Sequence, residues 1–141
     1  LLTNAQLLPD KPFEQDLCSF HGGLLYWHSC GDVTKLLEEI AKIPHIEMIH
    51  VGPWTSVDKV GQIFKNKAPL EICMNPQKDI LEASEEHVRA KISGIIETCK
   101  KNDVGGFTLR VSALSIIKSL EYTLGQAHMW NRVTREVLEK M

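Results

Sequence analysis

The sequence has little cysteine and no CxxC spacing: its four cysteines, Cys18, Cys30, Cys73 and Cys99, do not form the tight framework of a small secreted domain. They read as reduced thiols, which places the protein in the cytoplasm. There is no basic-then-apolar leader, and no apolar run approaches the roughly 18 residues a membrane span needs. A formal net charge of -2 supplies no field for nucleic acid or an anionic membrane, so neither is expected as a partner. What is present is a hydrophobic share of 43% against 24% charged, enough to build a core and too apolar for a disordered chain. At 141 residues the whole length, 1–141, reads as a single domain. Residues 1–12 carry no clear pattern and read as a linker or the end of a preceding unit. The chain begins at Leu1 rather than Met and reads as cut from something longer.

From Leu24 onward one grammar repeats: a short apolar run, a polar or glycine turn, then an amphipathic helix. Strands are predicted at Leu24 to Trp27, Ile46 to Val51, Leu70 to Cys73 and Phe107 to Val111. The first helix carries Val33, Leu36, Leu37, Ile40 and Ile43 at helical spacing, with Asp32 as N-cap and Pro44 as stop. Thr55 and Asp58 fit a capping box for the helix bearing Val57, Val60, Ile63 and Phe64. Asn75-Pro76 signals a turn, and a longer helix then places Val88, Ile92, Ile95, Ile96 and Cys99 on one stripe. Asp103-Val104-Gly105-Gly106 predicts a loop with unusual dihedrals. A last helix is expected over 126–140, with Gly125 as a break before it. Alternation of this kind implies an α/β chain of parallel βα units joined by right-handed crossovers. Near-equal short units suit half of a (β/α)8 barrel, and a doubly wound sheet is the competing geometry. An open half exposes parallel edges and an inner face. It therefore calls for the missing N-terminal half-barrel, or a second copy of itself, as partner.

Polar residues collect at the carboxyl ends of these strands, where parallel sheets carry their sites. The run Tyr26-Trp27-His28-Ser29-Cys30-Gly31-Asp32 delivers an imidazole and a thiol at i and i+2, hence on one face of an extended strand. His50, Trp54, Cys73, Asn75 and Arg110 end the other predicted strands. His28, Cys30, His50 and Cys73 are the candidate metal ligands, since imidazole and thiolate are the groups that hold zinc. Trp54, Asn75 and Arg110 are the candidate substrate contacts. Each has a plainer reading beside it: strand-end histidines bonded to backbone, cysteines as small core fillers, a packing indole, an arginine paired with a carboxylate, a turn-forming asparagine. No role is expected for His21, His45, His87 or His128, and Cys18 and Cys99 read as structural.

With these residues placed, the chain resembles the C-terminal part of the uroporphyrinogen decarboxylase-like superfamily. The matching pieces are the strand and turn from Tyr26 to Asp32, His50-Val51-Gly52-Pro53-Trp54-Thr55, Cys73-Met74-Asn75-Pro76, and Gly105-Gly106-Phe107-Thr108-Leu109. The HxCG at His28 to Gly31 is the most specific of them. The resemblance implies the C-terminal half of a TIM barrel and, in one branch, a zinc-dependent methyltransferase working on a small-molecule substrate with a corrinoid protein. There the His and Cys of HxCG bind the metal together with a further cysteine after the last strand. Ser112 and Ala113 stand near that last position here, so His50, Cys73 or a residue of the absent half would have to complete the set. The other branch is the decarboxylase, a metal-free lyase of tetrapyrrole biosynthesis whose catalytic residues lie mostly in the N-terminal half. A third reading is an inactive assembly fragment that forms an oligomer with itself.

Overall fold

The structure, a computed structural model, describes residues 11–23, 26–111 and 113–141. In chain order the elements are α1 (Lys11–His21), a 3-10 turn (Thr34–Leu36) running into α2 (Leu37–Ile40), β1 (Ile49–Val51), α3 (Val57–Phe64) and β2 (Leu70–Met74). A π-helical turn (Gln77–Leu81), α4 (Glu85–Lys101), β3 (Phe107–Val111) and α5 (Leu120–Leu138) follow. The three strands form one parallel sheet in the order β1-β2-β3, with Ile49 opposite Leu70 and Val51 opposite Ile72. The chain is therefore mixed α/β, as its alternating pattern predicts. It divides into two compact units: one takes the residues up to Ile72 together with Thr98–Leu109, the other Cys73–Glu97 with Arg110–Met141.

In the first unit every residue of β1 is buried, and Ile49, Val51 and Leu70 have no exposed surface. That is the mark of a parallel strand covered on both faces. Val60 and Phe64 of α3 are buried and α2 packs on α3, completing the core predicted from helical spacing. The first predicted strand is reduced to a single parallel bridge between Trp27 and Ile49; Leu24 and Leu25 lie outside the described residues. The helix expected from Val33 to Ile43 is shorter than its periodicity and begins as a 3-10 turn. Asp32 is the cause. Its Oδ1 accepts from both the Thr34 amide (2.9 Å) and the Thr34 hydroxyl (2.6 Å), a local turn that competes with helical bonding. The same two bonds hold the Asp32 carboxyl below its ordinary range.

The loop before β3 does need an unusual dihedral, but it falls on Asp103 (φ 54°), since neither Gly105 nor Gly106 has positive φ. Gly105 instead lies close to another backbone segment: a Cβ there would sit 3.3 Å from the Asn66 Cα, a tight contact. Gly22 (φ 80°), just past the end of α1, is in the left-handed conformation that commonly closes a helix.

In the second unit, Ser84 caps α4 by accepting from the His87 amide at 3.2 Å. Val88, Ile92, Ile95 and Ile96 are buried as their stripe predicts. The expected break at Gly125 is absent: α5 runs unbroken through it, and a Cβ there would meet open space. A glycine costs a helix about 1 kcal/mol relative to alanine, too little to end one that tertiary contacts hold. Those contacts are explicit. The Gln126 amide nitrogen lies 3.1–3.2 Å from the carbonyls of Ile80, Leu81 and Ala83, and the Tyr122 hydroxyl donates to the Leu81 carbonyl at 3.0 Å. Arg89 and Arg132 pair with Glu136, and Arg132 also pairs with Glu85, tying α4 to α5. The Arg89 guanidinium, joined by that of Arg132, holds the Glu136 carboxyl below the usual carboxylate range.

Candidate functional site

The sheet register builds the site. Trp27 bridges Ile49, and one residue further along, His28 comes beside His50, which in turn sits opposite Glu71 of β2. Tyr26 and Cys30 flank His28 at two residues' distance and share its face of the chain. The side chains meet as that row requires. His28 Nε2 lies 3.1 Å from Cys30 Sγ, and His28 Nδ1 lies 3.3 Å from the Tyr26 hydroxyl. The same hydroxyl donates to a carboxylate oxygen of Glu71. The rings of His28 and His50 stack with centroids 4.1 Å apart and planes inclined by 30°. His50 is buried, and its Nδ1 lies 2.9 Å from the Ser29 carbonyl oxygen, where only a donated N–H makes a bond. Of the four cysteines Cys30 alone is exposed. Burial pushes the Cys99 thiol up, keeping it a protonated core filler.

A turn holds Cys30 in place. The Thr55 hydroxyl donates to the Gly31 carbonyl and accepts from the Val33 amide, both at 3.2 Å. The Ser56 amide donates to the Thr34 hydroxyl at 3.0 Å. Thr55 is therefore not the N-cap of α3 that its spacing with Asp58 predicts. Ser56 takes that place, accepting from the Lys59 amide at 3.3 Å, because the Thr55 hydroxyl is already committed to the neighbouring turn. Replacing the buried Thr55 by valine keeps the volume and removes both bonds. We expect it to cost about 1–3 kcal/mol in urea unfolding, since a buried carbonyl and amide lose their partner. Thr55→Ser, which keeps the hydroxyl, should recover most of that loss.

Beside this row a cavity of about 400 Å³ is lined by Leu17, Cys18 and His21 of α1 and by Tyr26, Trp27 and His28. It brings an apolar and aromatic wall to the edge of the His28 ring.

The predicted site residues divide between the units. His28, Cys30 and His50 come together in the first unit. The two imidazoles stack, and the Nδ1 of His50 is committed to the Ser29 carbonyl. Trp54 is exposed on the loop after β1, where the Thr55 amide closes a turn onto the Gly52 carbonyl at 3.0 Å. Cys73, Asn75 and Arg110 belong to the second unit. Cys73 is buried with its Sγ 3.8 Å from the Met74 carbonyl. The Asn75 side-chain oxygen accepts from the amides of Gln77 (3.1 Å) and Lys78 (2.9 Å), so it starts the π-helical turn. Arg110 is on the exposed face of β3. Ser112 lies outside the described residues, and Ala113 has positive φ (54°). Among the described residues no group of three or more His, Cys, Asp or Glu side chains is placed to hold a metal ion. No described helix is long and apolar enough to cross a membrane.

Tyr26 and Glu71 carry no expected role in the sequence alone. The available signal was Glu71 itself, an acid between Leu70 and Ile72 in a strand otherwise apolar enough to be buried. Comparison with protein-family models, curated proteins and solved structures finds no match for this chain.

Proposed function

We propose that the chain is the C-terminal half-barrel of a zinc-dependent methyltransferase of the uroporphyrinogen decarboxylase-like superfamily, acting with a corrinoid protein. One observation carries the reading: the HxCG motif folds so that the His28 Nε2 and Cys30 Sγ face one another at 3.1 Å. The strand order β1-β2-β3, in chain sequence, is also the order of a barrel.

The donor chemistry fits the metal as far as this pair goes. A zinc ion held tetrahedrally by one imidazole and one thiolate sets their donor atoms roughly 3.5 Å apart. The observed 3.1 Å asks for a small opening. His28 also has its second nitrogen engaged, as metal-bound histidines do. Catalytic zinc normally takes three protein ligands. The third falls to His50, to Cys73 or to a residue of the missing half-barrel. When bound, zinc supplies the Lewis acidity for methyl transfer between a small donor or thiol and a corrinoid cobalt. The chain's own residues do the rest: Thr55 holds the Cys30 turn, His50 backs the His28 ring, and the cavity lined by Leu17, Tyr26 and Trp27 opens beside that ring.

Cobalt(II) titration tests this directly. Addition of the ion to the reduced protein is expected to raise a thiolate-to-cobalt absorption band in the near ultraviolet, which one equivalent of zinc then abolishes. A protein showing neither the band nor zinc uptake overturns the reading.

A further inference from the structure

We propose that Glu71 and Tyr26 are positioning residues: a carboxylate–phenol relay that fixes the tautomer and ring angle of His28 and leaves its Nε2 lone pair for the ligand shared with Cys30. An ionised carboxylate accepts only, and a phenol has one proton to give. The bond to Glu71 therefore takes the Tyr26 proton. The oxygen that remains 3.3 Å from His28 Nδ1 has only lone pairs to offer, so Nδ1 must carry the imidazole hydrogen. In a neutral ring the other nitrogen is then bare, and it is the nitrogen that lies 3.1 Å from Cys30 Sγ.

The same direction is imposed on the ring's faces. His50 stacks on one face at 4.1 Å between centroids, its own Nδ1 held by the Ser29 carbonyl. Tyr26 lies against the imidazole at 5.8 Å between centroids. Glu71 and His50 are register partners on neighbouring strands, so the sheet itself sets where the relay starts. A carboxylate reaching a histidine through its far nitrogen is the usual outer support of a metal-bound imidazole; here a phenol is interposed. As a claim about metal affinity the inference rests on the methyltransferase reading above; as a claim about the His28 tautomer it stands without it.

Two measurements on the whole chain test it. Long-range nitrogen–proton NMR of the metal-free protein, at a pH above the imidazole range, should show His28 protonated at Nδ1. In Tyr26→Phe, which keeps the ring and loses the hydroxyl, the same signal should shift toward a mixture of tautomers. Zinc competition against a chromophoric chelator should show Tyr26→Phe binding about 10–100-fold more weakly than the parent. Glu71→Gln, which keeps an acceptor without the charge, should lose less. Circular dichroism and melting should stay close to the parent in both variants, separating positioning from a folding defect. His28 protonated at Nε2 in the parent overturns the relay, as does unchanged tautomer and affinity in Tyr26→Phe. A parent that binds no zinc removes the methyltransferase reading, and the NMR result then decides the relay alone.

Discussion

Cys30→Ser is expected to weaken zinc binding by about two to three orders of magnitude while leaving the unfolding midpoint in place. A structural zinc site contributes on the order of 10–16 kcal/mol through about four ligands, so one thiolate accounts for roughly 2.5–4 kcal/mol of it. A serine hydroxyl is not ionised at neutral pH and cannot replace that share. Stability should be spared because Cys30 is exposed and its side chain fills no part of the core. Exposed substitutions of this kind usually change stability by no more than about 0.5 kcal/mol. Isothermal calorimetry with zinc, paired with urea unfolding of the metal-free protein, separates the two effects. Equal affinity in parent and variant would falsify the assignment of Cys30 as a ligand.

The second large effect is expected in the core. Leu70→Ala should destabilise the first unit by about 2–5 kcal/mol, the range for removing a fully buried leucine whose surroundings relax only in part. Leu70 has no exposed surface, sits opposite Ile49, and donates its amide to the Gly106 carbonyl at 3.0 Å. The backbone bonds survive the change, so the loss reports packing alone. Denaturant unfolding followed through tryptophan fluorescence measures it. Ile116→Ala, at a position 67% exposed, serves as the reference and should stay within about 0.5 kcal/mol of the parent. A Leu70 variant as stable as that reference would mean that the strand centre is not where the core lies.

These positions also show which features could be read from the sequence. β3 was legible to the residue, because Phe107 to Val111 is a β-prone run closed off by Gly105 and Gly106. β2 was legible to within Met74, and the α4 stripe was legible because a long helix sums many small preferences. The elements that misread are those whose local signal loses to a tertiary bond. Thr55 has the spacing of a cap, but its hydroxyl is claimed by Gly31 and Val33. Gly125 has the composition of a break, but Tyr122 and Gln126 anchor the helix around it. In the site, the pairing of His28 with Cys30 was readable because strand geometry places i and i+2 together. The contribution of Tyr26 to Glu71 was not, since it spans 45 residues and depends on a register that no local pattern states. Cys73, Asn75 and Arg110 share with the histidines only a strand-end position in the sequence; within their own unit Cys73 is buried and Asn75 forms a turn.

Among the described residues, the short segment carrying His28 shares backbone ladder bonds with the sheet at Trp27: its amide donates to the Met48 carbonyl at 3.0 Å, and the His50 amide to its carbonyl at 2.9 Å. Beyond Trp27 its backbone is held by side chains, the Ser29 carbonyl by His50 Nδ1 and the Gly31 carbonyl by the Thr55 hydroxyl. Small side-chain torsions at His28 and Cys30 are then enough to move the imidazole and thiol without parting any ladder bond. That compliance matches the widening a metal asks of the imidazole and thiol, so loading should leave the amides of Trp27 and His50 as slow to exchange with deuterium as before.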